Sequence, residues 1–170
     1  KVTIYDFNTD PKVFPLQYKY FEMGAKQLPQ WKNWNIRRNG CDCLSQHQTL
    51  YLNARNHPEY PEMVREIMDL NMSKKMSHLD IRPFEALFET LFGLVKTKVK
   101  ELMETVQPDL VGCTLLNSTA SCSNFILEYV KKLKPDTTTV LGGPGPMLGI
   151  TADSRDLLTF FENREFIDFI

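Results

Sequence analysis

Cysteine is scarce in this chain: Cys41, Cys43, Cys113 and Cys122 are all there are in 170 residues. Four thiols are too few for a disulfide scaffold of that length, and no signal peptide is visible, so a reducing, cytoplasmic setting is expected. A basic excess is missing too. Twenty Lys and Arg face twenty-one Asp and Glu, a net charge of −1, and no nucleic acid partner is expected of such a balance. The longest uncharged stretch, Leu110 to Leu127, is broken by Asn117, Ser118, Thr119 and Asn124, so no membrane span is read from it. Neither glycine-rich phosphate-binding pattern follows the first apolar segment, which leaves a free-standing nucleotide-dependent or flavodoxin-like enzyme the least supported reading. No paired carboxylates and no Ser/His/Asp set stand out by spacing.

What is present is ordinary globular chemistry, 42% hydrophobic and 24% charged, with enough chain for one domain to bury its own core. Lys1 to Asp6 (KVTIYD) reads as a short strand, with Asp6, Asn8 and Asp10 in its turn. From Pro11 to about Ile81 the pattern is irregular, rich in proline and aromatics, with short helices predicted near 16–26, 46–55 and 60–72. Beyond Pro83 the pattern sharpens. Phe84, Leu87, Phe88, Leu91, Leu94, Val95, Val99, Leu102 and Val106 recur at helical spacing, and Pro108 lies past the end.

Asp109 to Leu115 then reads as a buried strand, and Cys122, Phe125, Ile126, Tyr129, Val130 and Leu133 as a second helical stripe stopped by Pro135. Thr137 to Leu141 is the next strand and runs into Gly142-Gly143-Pro144-Gly145-Pro146. A helix near 153–161 and a last strand, Phe166 to Ile170, complete the pattern. Strands alternating with crossover helices imply an α/β fold, a flavodoxin-like or Rossmann-like doubly wound parallel sheet with helices on both faces. Residues 1–10 and 82–170 would form that domain and 11–81 a helical insertion within it.

Ligands in such sheets sit at the carboxyl ends of the strands. Two loops belong there, Thr114 to Ser121 and Gly142 to Gly149. The hydroxyl and amide groups of the first suit a polar ligand, and equally suit the cap of the following helix. The glycines of the second permit close approach by a ligand, or simply a tight turn.

The two loops together are more specific than either. Thr114-Leu115-Leu116 at one strand end and Gly142-Gly143 at the next resemble the Ser/Thr-x-Leu and Gly-Gly signature of cobalamin-binding domains. Pro108-Asp109-Leu110-Val111-Gly112, Leu141-Gly142-Gly143-Pro144 and Phe166-Ile167-Asp168-Phe169-Ile170 resemble, in that order, the N-terminal module of radical S-adenosylmethionine enzymes. The resemblance runs from about Glu101 to Ile170. It implies a corrinoid whose nucleotide base is hydrogen-bonded at the Thr114 position, with Leu116 along its tail and room left by Gly142 and Gly143. Asn117, Ser118 and Thr119 would line the same groove, with Pro144 and Gly145 completing the glycine loop.

The same resemblance implies what this chain does not carry. The cobalt-ligating Asp-x-His-x-x-Gly motif is absent, since none of His47, His57 and His78 has an Asp two residues before it. The Cys-x-x-x-Cys-x-x-Cys that would hold a [4Fe–4S] cluster beside S-adenosylmethionine is absent too. Both ends look cut: a first strand would precede Lys1, and the catalytic radical domain would lie beyond Ile170. The chain alone is then expected to be inert, its partners being the corrinoid, its own C-terminal radical domain and, through an exposed sheet edge, a second copy. The rival reading is a structural domain of the same fold without cofactor, docked on the catalytic domain.

Three features have plain readings. Cys41-x-Cys43 with His47 has metal-ligand character, but a structural zinc site needs four ligands and no second pair follows, so no metal site is assigned. Cys113 and Cys122 fall on predicted core positions. Trp31 and Trp34, near Arg37 and Arg38, suit a satellite core or an interface better than a stacked base.

Overall fold

The computed structural model describes residues 2–27, 40–72, 79–116, 119–143 and 164–170. Within them run α1 (Phe14–Gln27), α2 (Cys41–Ala54), α3 (Tyr60–Met72), α4 (Arg82–Val106), β1 (Leu110–Thr114), α5 (Ala120–Leu133) and β2 (Thr138–Gly142). The described residues therefore mix five helices with a two-stranded parallel sheet. It divides into two compact units, residues 1–95 and 96–170, and α4 runs from one into the other. Among the described residues no helix is long and apolar enough to cross a membrane.

The first unit is helical. Asp10 starts α1: its Oδ1 accepts from the amides of Lys12 (2.7 Å) and Val13 (3.0 Å), donors that a helix start leaves unpaired. Pro61 and Pro83 sit in the first turns of α3 and α4, where proline's missing N–H does no harm. The core is aromatic, with Tyr20 stacked on Phe88 at 5.7 Å between centroids and Tyr51 on Phe92 at 5.9 Å. Such rings bring large apolar area to a small unit. Helix α2 begins at Cys41, earlier than the predicted 46, so Cys41, Cys43 and His47 all lie within it.

The expected strand at Val2–Asp6 does not form. Val2 and Ile4 are 85% and 88% exposed, and no ladder bonds hold this segment among the described residues. A strand exists only through its pairing; here the Tyr5 hydroxyl instead donates to the Asp10 carboxylate and closes the turn.

The second unit carries the sheet. β1 and β2 pair in parallel with Leu110 opposite Thr138, Gly112 opposite Val140 and Thr114 opposite Gly142. α5 packs against both strands. Val111 and Cys113 on one face join Leu115, Leu127, Leu141, Ile167 and Phe166 in the core, while Leu110, Gly112 and Thr114 face away and are exposed. Helix α4 ends at Val106 because Gln107 takes a left-handed φ of +50° and Pro108 follows. Its buried residues in this unit are Val99 and Met103; Val106, read as part of the stripe, is 43% exposed.

The predicted last strand is reduced to one parallel bridge, Val140 to Phe169. Leu141 N–H donates to the Phe169 carbonyl at 2.9 Å and Phe169 N–H to the Thr139 carbonyl at 3.1 Å. Pairing stops there for a local reason. The Thr139 amide donates to Asp168 Oδ2 at 2.7 Å instead of to a backbone carbonyl, and Ile167 N–H turns back to Arg164. Among the described residues a sheet of two strands and a bridge is thus seen where a full doubly wound sheet was expected. The helix expected near 153–161 lies outside the described residues.

Candidate functional site at the strand ends

The carboxyl ends of β1 and β2 meet. Leu115 N–H donates to the Gly142 carbonyl at 2.6 Å, extending the parallel register one step past Thr114. Gly143 follows with φ +105°, and a Cβ there would lie 2.9 Å from the Leu115 carbonyl oxygen and 3.0 Å from Thr114 Cγ2. Only glycine fits that backbone against the end of β1. The two glycines therefore differ in role. Gly143 is filled from behind by β1, whereas a Cβ at Gly142 would meet nothing within 4 Å among the described residues.

Thr114 stands across from Gly142 in register, on the exposed face of the pair. Its methyl is turned to Gly143, and its hydroxyl makes no hydrogen bond among the described residues. Leu116, 43% exposed, lies two residues on. An available hydroxyl, open space over a glycine and an exposed leucine are thus collected at one sheet edge.

Thr119 is spent differently. It is the N-cap of α5, yet its side chain makes no capping bond to the helix. Its Oγ1 accepts from Leu116 N–H at 3.0 Å and lies 3.3 Å from the carbonyls of Thr114 and Leu116, so it braces the turn. Ser123, one helical turn later, donates to the Thr114 carbonyl at 2.9 Å. Sequence reasoning missed Ser123; the signal was its i,i+4 spacing from Thr119. Asn117, Ser118, Pro144 and Gly145 lie outside the described residues, as do Trp31, Trp34, Arg37 and Arg38.

The opposite end of β2 is pinned. Thr139 is fully buried; its amide and hydroxyl reach Asp168 Oδ2 at 2.7 and 2.9 Å, and Lys131 Nζ from α5 reaches the same oxygen at 2.7 Å. The Lys131 ammonium and the Thr139 amide hold the Asp168 carboxyl below the usual carboxylate range. Burial pushes the Cys113 and Cys122 thiols up to about 12, so neither is a ready nucleophile.

In the first unit Cys43 and His47 are engaged rather than open. His47 is fully buried, with Nδ1 3.2 Å from the Tyr20 hydroxyl and Nε2 3.3 Å from the Tyr60 hydroxyl. Burial lowers its pKa to about 3, so it is neutral, donating through one nitrogen and accepting through the other.

A mixed α/β unit with a hydroxyl and a glycine facing each other at parallel strand ends is the class of architecture observed. No protein-family model matches the chain, and no solved structure matches it. The anaerobic magnesium-protoporphyrin IX monomethyl ester cyclase of Rubrivivax gelatinosus is 38% identical to it over 50 residues. That match covers 29% of this chain and 9% of the cyclase, so the chain spans a small part of the relative it resembles.

Proposed function

We propose that this chain is the cobalamin-binding-type module of a radical S-adenosylmethionine enzyme. It would hold a corrinoid, or position substrate, for a catalytic [4Fe–4S] domain carried elsewhere in the whole protein. The observation that carries the reading is the pairing of the Thr114 hydroxyl with the open space over Gly142, at the strand ends where α/β sheets take ligands. The partial likeness to the magnesium-protoporphyrin IX monomethyl ester cyclase lends support to the same reading.

On this reading Thr114 donates to or accepts from the nucleotide base, Leu116 packs on its tail, and Gly142 leaves the tail room. Asn117, Ser118, Thr119, Gly143, Pro144 and Gly145 shape the surrounding loops. Cobalt would supply the group-transfer chemistry; the protein's share is position and burial. Residues 1–10 and 82–170 would belong to a doubly wound domain with 11–81 inserted. A cytoplasmic setting accords with four thiols outside any disulfide.

The test is a visible-absorption titration of the chain with hydroxocobalamin and methylcobalamin. A saturable shift that is lost in Gly142→Val, with the far-ultraviolet circular dichroism unchanged, is expected. No shift, or a shift indifferent to Gly142→Val, would overturn the assignment.

A second reading keeps the architecture without the cofactor, as a structural domain docked on the catalytic one. It is favoured by Thr119 and Ser123, whose hydroxyls are used up on the Thr114 turn. In either case the outer edge of β1 has no strand partner among the described residues, and where no first strand covers it a second copy would pair there. Light scattering that shows a strict monomer at all concentrations would remove that dimer.

A further inference from the structure

The aromatic core of the first unit holds a knot of soft donors that packing alone does not call for. Cys43 and His47 sit at i and i+4 on one face of α2, and Met68 projects from α3 opposite them. Cys43 Sγ lies 3.2 Å from Met68 Sδ and 3.6 Å from the Tyr20 hydroxyl, which in turn lies 3.2 Å from His47 Nδ1. All of these side chains are fully buried.

We infer that Cys43, His47 and Met68 form a binding site for a soft monovalent cation, copper(I) by its chemistry. Among the described residues no three His, Cys, Asp or Glu side chains can hold an ion; here the third donor is a thioether. Thiolate, thioether and imidazole select copper(I) over the harder ions. Charge decides against zinc. One thiolate with one monovalent ion leaves this dry core neutral, whereas Zn²⁺ would leave a net positive charge buried without a counter-ion.

Binding breaks the Cys43 S–H bond and forms a sulfur–metal bond, and the proton leaves to solvent; no electron moves, since the ion arrives as the monovalent cation. The Tyr20 hydroxyl, standing between the sulfur and Nδ1, moves aside. His47 presents Nδ1 to the metal in the tautomer that carries its proton on Nε2, where the Tyr60 hydroxyl lies 3.3 Å away to accept it.

The experiment is an anaerobic titration of the whole chain with copper(I) against a chromophoric chelator, repeated with silver(I). One ion bound and one proton released per chain are expected, with a raised Tm. Met68→Leu, which keeps the volume, should weaken binding at least about tenfold. Cys43→Ser should abolish it, and a Cys41→Ser, Cys113→Ser, Cys122→Ser triple variant should leave it intact. Wild-type binding weaker than about 1 μM would overturn the site. So would affinity unchanged in Met68→Leu, a test that stands even where Cys43→Ser fails to fold.

Discussion

Gly143 stands so close to Leu115 that a Cβ on it would lie 2.9 Å from the Leu115 carbonyl oxygen, in backbone at φ +105°. Gly142, one residue earlier, has neither constraint: its strand backbone is ordinary and no described residue fills the space beside it. Gly143→Ala should therefore cost about 1–3 kcal/mol in urea unfolding. Gly142→Ala should be neutral, or gain about 0.4–1 kcal/mol from a stiffer unfolded chain. Equal losses at the two positions would contradict the division of roles drawn here.

That division shows where sequence reading stops. Periodicity located α4 and α5, and short apolar runs located β1 and β2, because burial on one side leaves a repeat that can be counted. Adjacent glycines leave none; which of them takes positive φ is decided by the strand end it meets. The start of α2 was equally hidden, since Gly40 offers no capping side chain to announce Cys41. Val2 and Ile4 alternate as a strand should, yet alternation describes a face and not a partner. The last strand ends early because Asp168, which the sequence pattern places simply within that strand, captures the amide that the ladder would have used.

Asp168 joins two interactions of unequal worth. Its ion pair with Lys131 is partly exposed, 21% and 33% for the two side chains, so Lys131→Met should lose less than about 1 kcal/mol, and less still at high salt. Asp168→Ala also strips the acceptor from the amide of fully buried Thr139, and should lose about 1–3 kcal/mol. Denaturant unfolding of both variants at two salt concentrations separates the contributions. Because the carboxyl is held below its ordinary 3.8, its stabilisation is present above that pH and is lost as pH falls through the lowered value.

His47 sets a second acid dependence with a wider window. Its ordinary value of 6.5 falls to about 3 in the folded chain, so between these pH values the unfolded state binds the extra proton. Stability is full above pH 6.5 and declines as pH falls toward 3, with a slope approaching about 1.4 kcal/mol per pH unit. His47→Gln removes the titrating group and should flatten that decline, though it lowers stability near neutral pH by disturbing the bonds to Tyr20 and Tyr60. Urea midpoints measured from pH 7 to pH 4 on both proteins decide it. Parallel curves would mean that another group governs acid unfolding.

Thr114 and Thr119 offer the sharpest separation of binding from folding. Thr114→Val keeps the shape and the methyl against Gly143 while removing a hydroxyl that bonds to nothing among the described residues. Its stability should stay within about 0.5 kcal/mol of the parent. Corrinoid affinity should fall about tenfold, the equivalent of one hydrogen bond worth about 1.4 kcal/mol. Thr119→Val does the reverse. It removes the acceptor of the solvent-exposed Leu116 amide and should lose about 0.5–1.5 kcal/mol of stability, the net worth of one hydrogen bond, with little change in affinity once the protein is folded. The two variants are compared by urea unfolding and by the hydroxocobalamin titration. A Thr114→Val protein that binds like the parent would show that the hydroxyl facing Gly142 has no part in recognition, whatever the loop beside it does.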